Sequence, residues 1–274
     1  MEYVRVQDVE IPALGLGTWN LTDDQCVRTV GRALELGYRH VDTAQDYGNE
    51  REVGRAIATA DVPREECFVT TKLWPSNYRY DDAVESTRES LDRLGLEYVD
   101  LLLMHWPSLH VPTEETLGAM ADLVDEGLVR HVGVSNFSRS RLEEARELSR
   151  VPILADQVQY HPYRDRSDLL EYCRQEGIVL TAYSPLVHGG LVDDERLAAI
   201  GERYGKTAAQ VALRWLVQQE PVAAIPKASS REHLAANIAV FDFSLTDEEM
   251  AEVADPSALR TGLGWMRGRF GRRV

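Results

Sequence analysis

The sequence predicts an α/β fold, a closed (β/α)8 TIM barrel spanning most of its 274 residues, with a short N-terminal β-hairpin plugging the bottom. Three observations point there. Short β-branched runs alternate eight times with amphipathic helical stretches. Several runs are almost continuously apolar, Val99 to Met104 most clearly, as in strands of a parallel sheet covered by helices on both faces. Length fits too, since such barrels take about 250 residues as one unit.

The elements follow in order. A hairpin is expected over Tyr3 to Ile11. The eight strands are expected near Leu14–Gly17, Tyr38–Asp42, Cys67–Lys72, Tyr98–His105, His131–Ser135, Ala155–Gln159, Val179–Tyr183 and Val222–Pro226. Between them, Asp23 to Leu36 places Val27, Val30 and Leu34 on one helical face. Asp81 to Leu94 does so with Val84, Leu91 and Leu94, and Ala208 to Gln218 follows a candidate N-cap, Thr207. No Pro-rich linker, low-complexity segment or second repeat divides the chain, so residues 1–274 read as one barrel domain, with 257–274 as a basic C-terminal tail.

Charge narrows the function classes. The net charge of −15 disfavours nucleic acid and anionic membranes as partners. Only Lys72, Lys206 and Lys227 are lysines, so 27 of the 30 basic residues are arginines. A lysine-poor, acid-rich surface fits a halophilic, acidic proteome; a GC-rich genome is the other explanation, although codon bias alone does not require the acid excess. The tail carries five arginines and no acid, leaving −20 on the remainder. Its apolar residues Leu263, Trp265, Met266 and Phe270 suggest a lid over the pocket, or else a loose terminus. Met1 to Glu10 hold four charges and no apolar core, no run suits a membrane span, and Cys26, Cys67 and Cys173 match no metal or redox spacing. A cytoplasmic protein is expected, a monomer or weak oligomer.

In a β/α barrel the chemistry sits where strands end. Here those ends offer Gly17, Thr18 and Trp19; Asp42, then Tyr47; Lys72 and Trp74; His105 and Trp106; Ser135 and Asn136; Gln157 and Gln159; Tyr183 and Ser184; and Lys227, Ser229 and Ser230. A strand-end Asp often caps a helix, and a single Tyr or His is usually core. Four complementary titratable groups at three consecutive strand ends are much harder to attribute to packing. No His/Asp/Glu set has metal spacing, and no G-x-G-x-x-G follows a strand, so neither a metal site nor a Rossmann site is expected.

The segments VDTAQDYGNE, TKLW, LMHWP, GVSNF, AYSPL and IPKASSREHLAANIAVFDF, running from about Gly15 to Leu245, resemble the signature blocks of the aldo-keto reductase superfamily, in the same order. The compact size resembles its smaller microbial members. The resemblance implies reduction of aldehydes, ketones or α-dicarbonyls to alcohols by an NADP(H)-dependent oxidoreductase, with a small-molecule carbonyl substrate. It makes Asp42, Tyr47, Lys72 and His105 the catalytic tetrad, with Tyr47 as proton donor, and Trp19, Tyr47, Trp74, His105 and Trp106 the pocket wall. It places NADPH, or NADH, against Gly17, Thr18, Asp42, Ser135, Asn136, Gln157, Tyr183, Ser184, Leu186, Lys227, Ser229, Ser230, His233 and Asn237. A free phenol titrates at about 10. An ammonium at about 4 Å and effective dielectric near 20 contributes roughly 4 kcal/mol, about three pKa units, so Lys72 is expected to draw Tyr47 towards neutrality, with desolvation opposing. Two departures from the family's pattern bear on the cofactor. His233 stands where many NADPH-preferring members have arginine, and Ala236 where Glu or Gln is frequent; Arg231 is a candidate substitute. An imidazole clamps phosphate more weakly than a guanidinium, and pH-dependently. The alternative reading is a cofactor-binding regulatory subunit with little turnover. It would call for a ring-forming surface or a long N-terminal extension, and this sequence begins almost at the barrel.

Overall fold

The computed structural model describes residues 1–255. The tail at 257–274, and with it the candidate lid residues, lies outside the described residues. A hairpin comes first: β1 (Tyr3–Val6) pairs antiparallel with β2 (Val9–Pro12). The turn residues Gln7 and Asp8 both have positive φ, 49° and 63°, the backbone that matches a two-residue hairpin turn to strand twist.

Eight parallel strands follow in sequential order: β3 (Leu16–Gly17), β4 (His40–Asp42), β5 (Phe68–Leu73), β6 (Val99–Met104), β7 (Val129–Ser135), β8 (Ile153–Gln159), β9 (Val179–Tyr183) and β10 (Val222–Ala224). The seam closes where Gly15 N donates to Ala224 O at 2.8 Å, Ala224 N donates to Ala13 O at 2.8 Å, and Gly17 N donates to Pro226 O at 3.2 Å. Leu14 pairs with Ala224 across this seam as an isolated bridge. The first strand therefore has only two residues in the main ladder, fewer than the Leu14–Gly17 expected. A Cβ on Gly17 would stand 2.7 Å from Ile225 O, so the seam itself requires glycine there.

Helices α1 (Asp23–Glu35), α2 (Glu50–Thr59), α3 (Tyr80–Leu94), α4 (Thr113–Asp125), α5 (Arg139–Leu148) and α6 (Ser167–Glu176) each join one strand to the next. Two helices, α7 (Glu195–Glu202) and α8 (Ala208–Val217), lie between β9 and β10, and α9 (Arg231–Ile238) and α10 (Asp247–Ala254) follow the last strand. Thr207 caps α8 in a full capping box with Gln210, and α3 ends at Gly95 with φ 65°.

Strand alternation divides the core in two. Leu102 and Met104 turn outward into the large cluster beneath the helices. Leu101 and Leu103 turn inward, where they join Phe68, Leu154, Ala155, Val179 and Ala223. The hairpin residues Val6 and Ile11 belong to that inner cluster. The hairpin is pinned from outside as well, since Gln7 Nε2 donates to Ile153 O at 3.1 Å and Gly177 O at 2.9 Å. With one end sealed by apolar contacts, polar side chains collect at the other, where the strands end.

One close approach fixes how α2 meets α3. A Cβ on Gly54 would lie 1.9 Å from Leu94 O, whereas one on Gly31 in α1 would meet nothing within 4 Å. Gly54→Ala should lower stability in urea unfolding by about 1–3 kcal/mol through overpacking, while Gly31→Ala should raise it by about 0.5–1 kcal/mol. Equal effects would show that the helix contact tolerates a methyl group.

Candidate functional site

At the strand ends the central object is a buried ion pair. Lys72 is 0% exposed and its ammonium lies 2.5 Å from Asp42 Oδ1. Alternation puts both side chains inside the barrel, one from β4 and one from β5. Lys72 Nζ also donates to Thr43 O at 2.7 Å, which leaves one of its three donors. The Tyr47 ring centroid stands 5.0 Å from that nitrogen. Asp42 Oδ2 accepts from Gln157 Nε2 at 2.7 Å. The carboxylate is thus held from both sides of the barrel. Burial pulls the Lys72 pKa down, but the charge and hydrogen bond of Asp42, together with Tyr47, outweigh it, and the ammonium titrates above its ordinary value.

Tyr47 ends a short 3-10 turn, Gln45–Tyr47, stopped by Gly48 at φ 64°. Its phenol titrates above the ordinary value: burial raises it, and Lys72 pulls back without prevailing. The net direction differs from the expected downward shift. Desolvation, expected to oppose Lys72, is at this depth the larger of the two effects. His105 is 8% exposed. Burial, then the Lys72 charge, pushes its pKa down to about 3, so the imidazole is neutral at physiological pH. Its ring meets Tyr47 edge-on at 5.8 Å and Trp74 edge-on at 5.4 Å, and stacks on Trp106 at 6.2 Å. Nδ1 is buried and has no hydrogen-bond partner among the described residues.

Most of the remaining expected residues fall into two groups. One is wired to the ion pair. Thr18 Oγ1 donates to Asp42 O at 2.9 Å and Ser135 Oγ to Gln157 O at 2.8 Å. Asn136, in the left-handed region at φ 64°, donates through Nδ2 to His105 O and Ser135 Oγ, each at 3.1 Å. Its Oδ1 accepts from Tyr183 Oη at 2.8 Å. The other group lies beyond β10: Lys227 is exposed, Ser229 and Ser230 are partly exposed, His233 is exposed and Asn237 is buried. Ser230 Oγ caps α9 by accepting from His233 N at 3.1 Å. Ser184 and Leu186 lie in the turn after β9, where Val187 N donates to Ser184 O at 3.0 Å. Trp74 and Trp106 border His105, but Trp19 packs on His188 at 5.6 Å. Arg231 pairs with Glu35 at 3.0 Å. Gly17 serves the seam.

A nicotinamide nucleotide fits this set. With Gln157 Nε2 committed to Asp42, the side-chain oxygen is left as an acceptor for a carboxamide N–H. Lys227 makes no ion pair among the described residues, and it is followed by two accessible hydroxyls, a donor set suited to phosphate. Among the described residues no cluster of three or more His, Cys, Asp or Glu could hold a metal ion, and no helix is long and apolar enough to cross a membrane.

Residue-by-residue reading of the strand ends missed the groups that hold the Tyr47 turn. Asn49 is 1% exposed. It accepts from Thr43 Oγ1 at 2.7 Å and donates to Thr18 O at 2.9 Å and Leu21 O at 2.8 Å. Glu50, 2% exposed, accepts from Thr71 Oγ1 and Arg93 Nε, each at 2.7 Å. Both stand inside the VDTAQDYGNE block, and a polar pair opening an amphipathic helix was the available signal.

Comparison with known proteins agrees with this geometry. The model of the Aldo/keto reductase family matches residues 13–257. An aldo-keto reductase of Mycolicibacterium smegmatis is 41% identical over 256 residues, covering 92% of this chain and 90% of that protein. A solved structure described as a candidate 2,5-diketo-D-gluconic acid reductase B is 48% identical with a TM-score of 0.92, covering 93% of this chain and 91% of its own. The Bombyx mori aldo-keto reductase in complex with NADP is 35% identical with a TM-score of 0.86, covering 92% of each chain. Strand order, barrel closure and a sequence match across nearly the whole described chain together place this protein in the aldo/keto reductase family.

Proposed function

We propose that the protein reduces aldehydes, ketones or α-dicarbonyls to alcohols with NADPH, and that Tyr47 is the proton donor. The observation that carries this reading is the fully buried Lys72–Asp42 pair beside Tyr47 and a neutral His105. When bound, the reduced nicotinamide supplies the hydride taken up at the carbonyl carbon. The chain's own residues handle the oxygen. As negative charge grows there, the Tyr47 phenol gives up its proton, and the adjacent Lys72 ammonium stabilises the phenolate that forms. Because the phenol titrates above its ordinary value, it is protonated at neutral pH and ready to donate. His105, uncharged and with Nδ1 buried, has Nε2 as the ring nitrogen that can meet the carbonyl oxygen. Trp74 and Trp106 around it give an apolar wall for the substrate's carbon chain. Asn136 and Gln157 tie the expected carboxamide site to His105 and Asp42.

NADPH is favoured over NADH by exposed Lys227, which makes no ion pair among the described residues, with Ser229 and Ser230. The NADP complex of the Bombyx mori relative supports the same choice.

Three outcomes test the reading. In a nicotinamide-absorbance assay with a panel of aldehydes at low and high KCl, Tyr47→Phe should lower kcat by about 10²–10⁴-fold with NADPH binding retained. Unchanged turnover would remove Tyr47 from the chemistry, and wild type that binds cofactor yet turns nothing over would contradict the reductase reading. The pH profile supplies a second check. His105 loses its proton near pH 3, far below the assay range, and the raised Tyr47 loses its proton only in alkali. kcat/KM for reduction should therefore show no step across the ordinary imidazole range and fall only on the alkaline side. A step that His105→Gln abolishes would contradict this. Finally, His233→Ala should raise the Kd for NADPH more than the Kd for NADH, and equal changes would exclude His233 from phosphate recognition.

A further inference from the structure

We propose that Gln45 is a positioning residue that locks the turn bearing Tyr47 to the loop bearing Trp74, so that the proton donor and one wall of the substrate pocket hold a single relative placement. This rests on the reductase reading of those two side chains. Gln45 opens the turn Gln45–Tyr47, two residues before the phenol. Its amide makes all four of the hydrogen bonds open to it, and none stays within its own turn. Oε1 accepts from Trp74 N at 2.9 Å and from Asn77 Nδ2 at 3.1 Å. Nε2 donates to Ser86 O at 3.1 Å and to Ser90 Oγ at 3.2 Å. The first two partners follow β5 and the last two lie in α3, so one side chain joins the end of β4 to the whole neighbouring β/α unit.

Packing holds the Tyr47 ring on its inner side, against His105, but not the outer side of the turn. The outer side of the turn borders a cleft of about 520 Å³ lined by Gln45, Glu50, Trp74, Ser86 and Arg93 among others. A turn backed by open space relies on directional bonds for its position. Asn49 supplies them towards the loop after β3, through Thr18 O and Leu21 O. Gln45 supplies them on the opposite side. Trp74 in turn meets the His105 ring at 5.4 Å, so a shift at Gln45 reaches both groups expected on the carbonyl oxygen. A displacement of about 1 Å at a site that must align two reacting atoms costs up to about 10²-fold in rate.

The test is Gln45→Met, which keeps chain length and removes all four bonds, assayed in the full chain with NADPH against a small aliphatic and a bulky aromatic aldehyde. The expected result is a kcat lowered about tenfold or more, an unchanged NADPH Kd, and a changed ratio of kcat/KM between the two aldehydes because the Trp74 wall has moved. Gln7→Ala is the comparison: it removes two side-chain bonds at the opposite end of the barrel and should lower the unfolding midpoint with kcat and the aldehyde ratio intact. If folded Gln45→Met behaves like Gln7→Ala, losing stability alone, the proposal is overturned. Should Gln45→Met not fold, the double variant Asn77→Ala, Ser90→Ala removes two of the four bonds and must still lower kcat and change the ratio; wild-type values there overturn it equally. Wild type without turnover on any carbonyl would instead sink the reductase reading, and this inference with it.

Discussion

The rest of the site depends on one interaction, the contact between Lys72 and Asp42 inside the barrel mouth. Two unit charges lie where water does not reach, 0% and 1% exposed. Removing such groups from water costs several kcal/mol per ion, and mutual attraction offsets this only with good geometry and further hydrogen bonds. Those are present in Thr43 O for the ammonium and Gln157 Nε2 for the carboxylate. An ion pair that an apolar pair could replace at little cost to the fold is poorly explained as a stabilising device. The proposed chemistry gives it a different role, a fixed positive charge beside a phenol that would become a phenolate and back.

The fold serves that pair by separating apolar from polar ends. The hairpin fills the bottom with Val6 and Ile11, and the seam at Gly17 and Ile225 brings the first strand end beside the last. Around the pair the hydrogen bonds run continuously, from Thr18 through Asp42 to Gln157, Ser135, Asn136 and Tyr183. Groups expected to touch the cofactor, Gln157 among them, therefore belong to the same hydrogen-bond chain as the Lys72–Asp42 pair.

Much of this was legible in the sequence, for physical reasons. Strand periodicity and near-continuous apolar runs report two-sided burial, which is why β6 and β7 were placed within two residues. Thr207 was readable as a cap because hydroxyls satisfy helix N-termini. Asp42, Tyr47, Lys72 and His105 were expected as one site from strand ends and family resemblance, and the structure brings their side chains together. What escaped was long-range. Gln45, Asn49 and Glu50 look in sequence like polar residues at a helix start, and nothing local shows that their partners lie on neighbouring β/α units. The direction of the Tyr47 shift also depends on burial depth, which spacing does not give. Nor does spacing show that Arg231, a candidate for phosphate, pairs with Glu35, 196 positions away.

The central claim, that the buried pair exists for chemistry and not for folding, is tested most directly by comparing Asp42→Leu, Lys72→Met and the double variant carrying both, each measured for urea unfolding and for turnover. Each single change that leaves a buried partner unpaired should cost about 3–5 kcal/mol, while the double variant should recover to wild-type stability or above. Turnover should stay at least about 10²-fold down in the double variant despite that recovery. A double variant as unstable as the sum of its parts, or a stable one that still reduces aldehydes at the wild-type rate, would contradict the account.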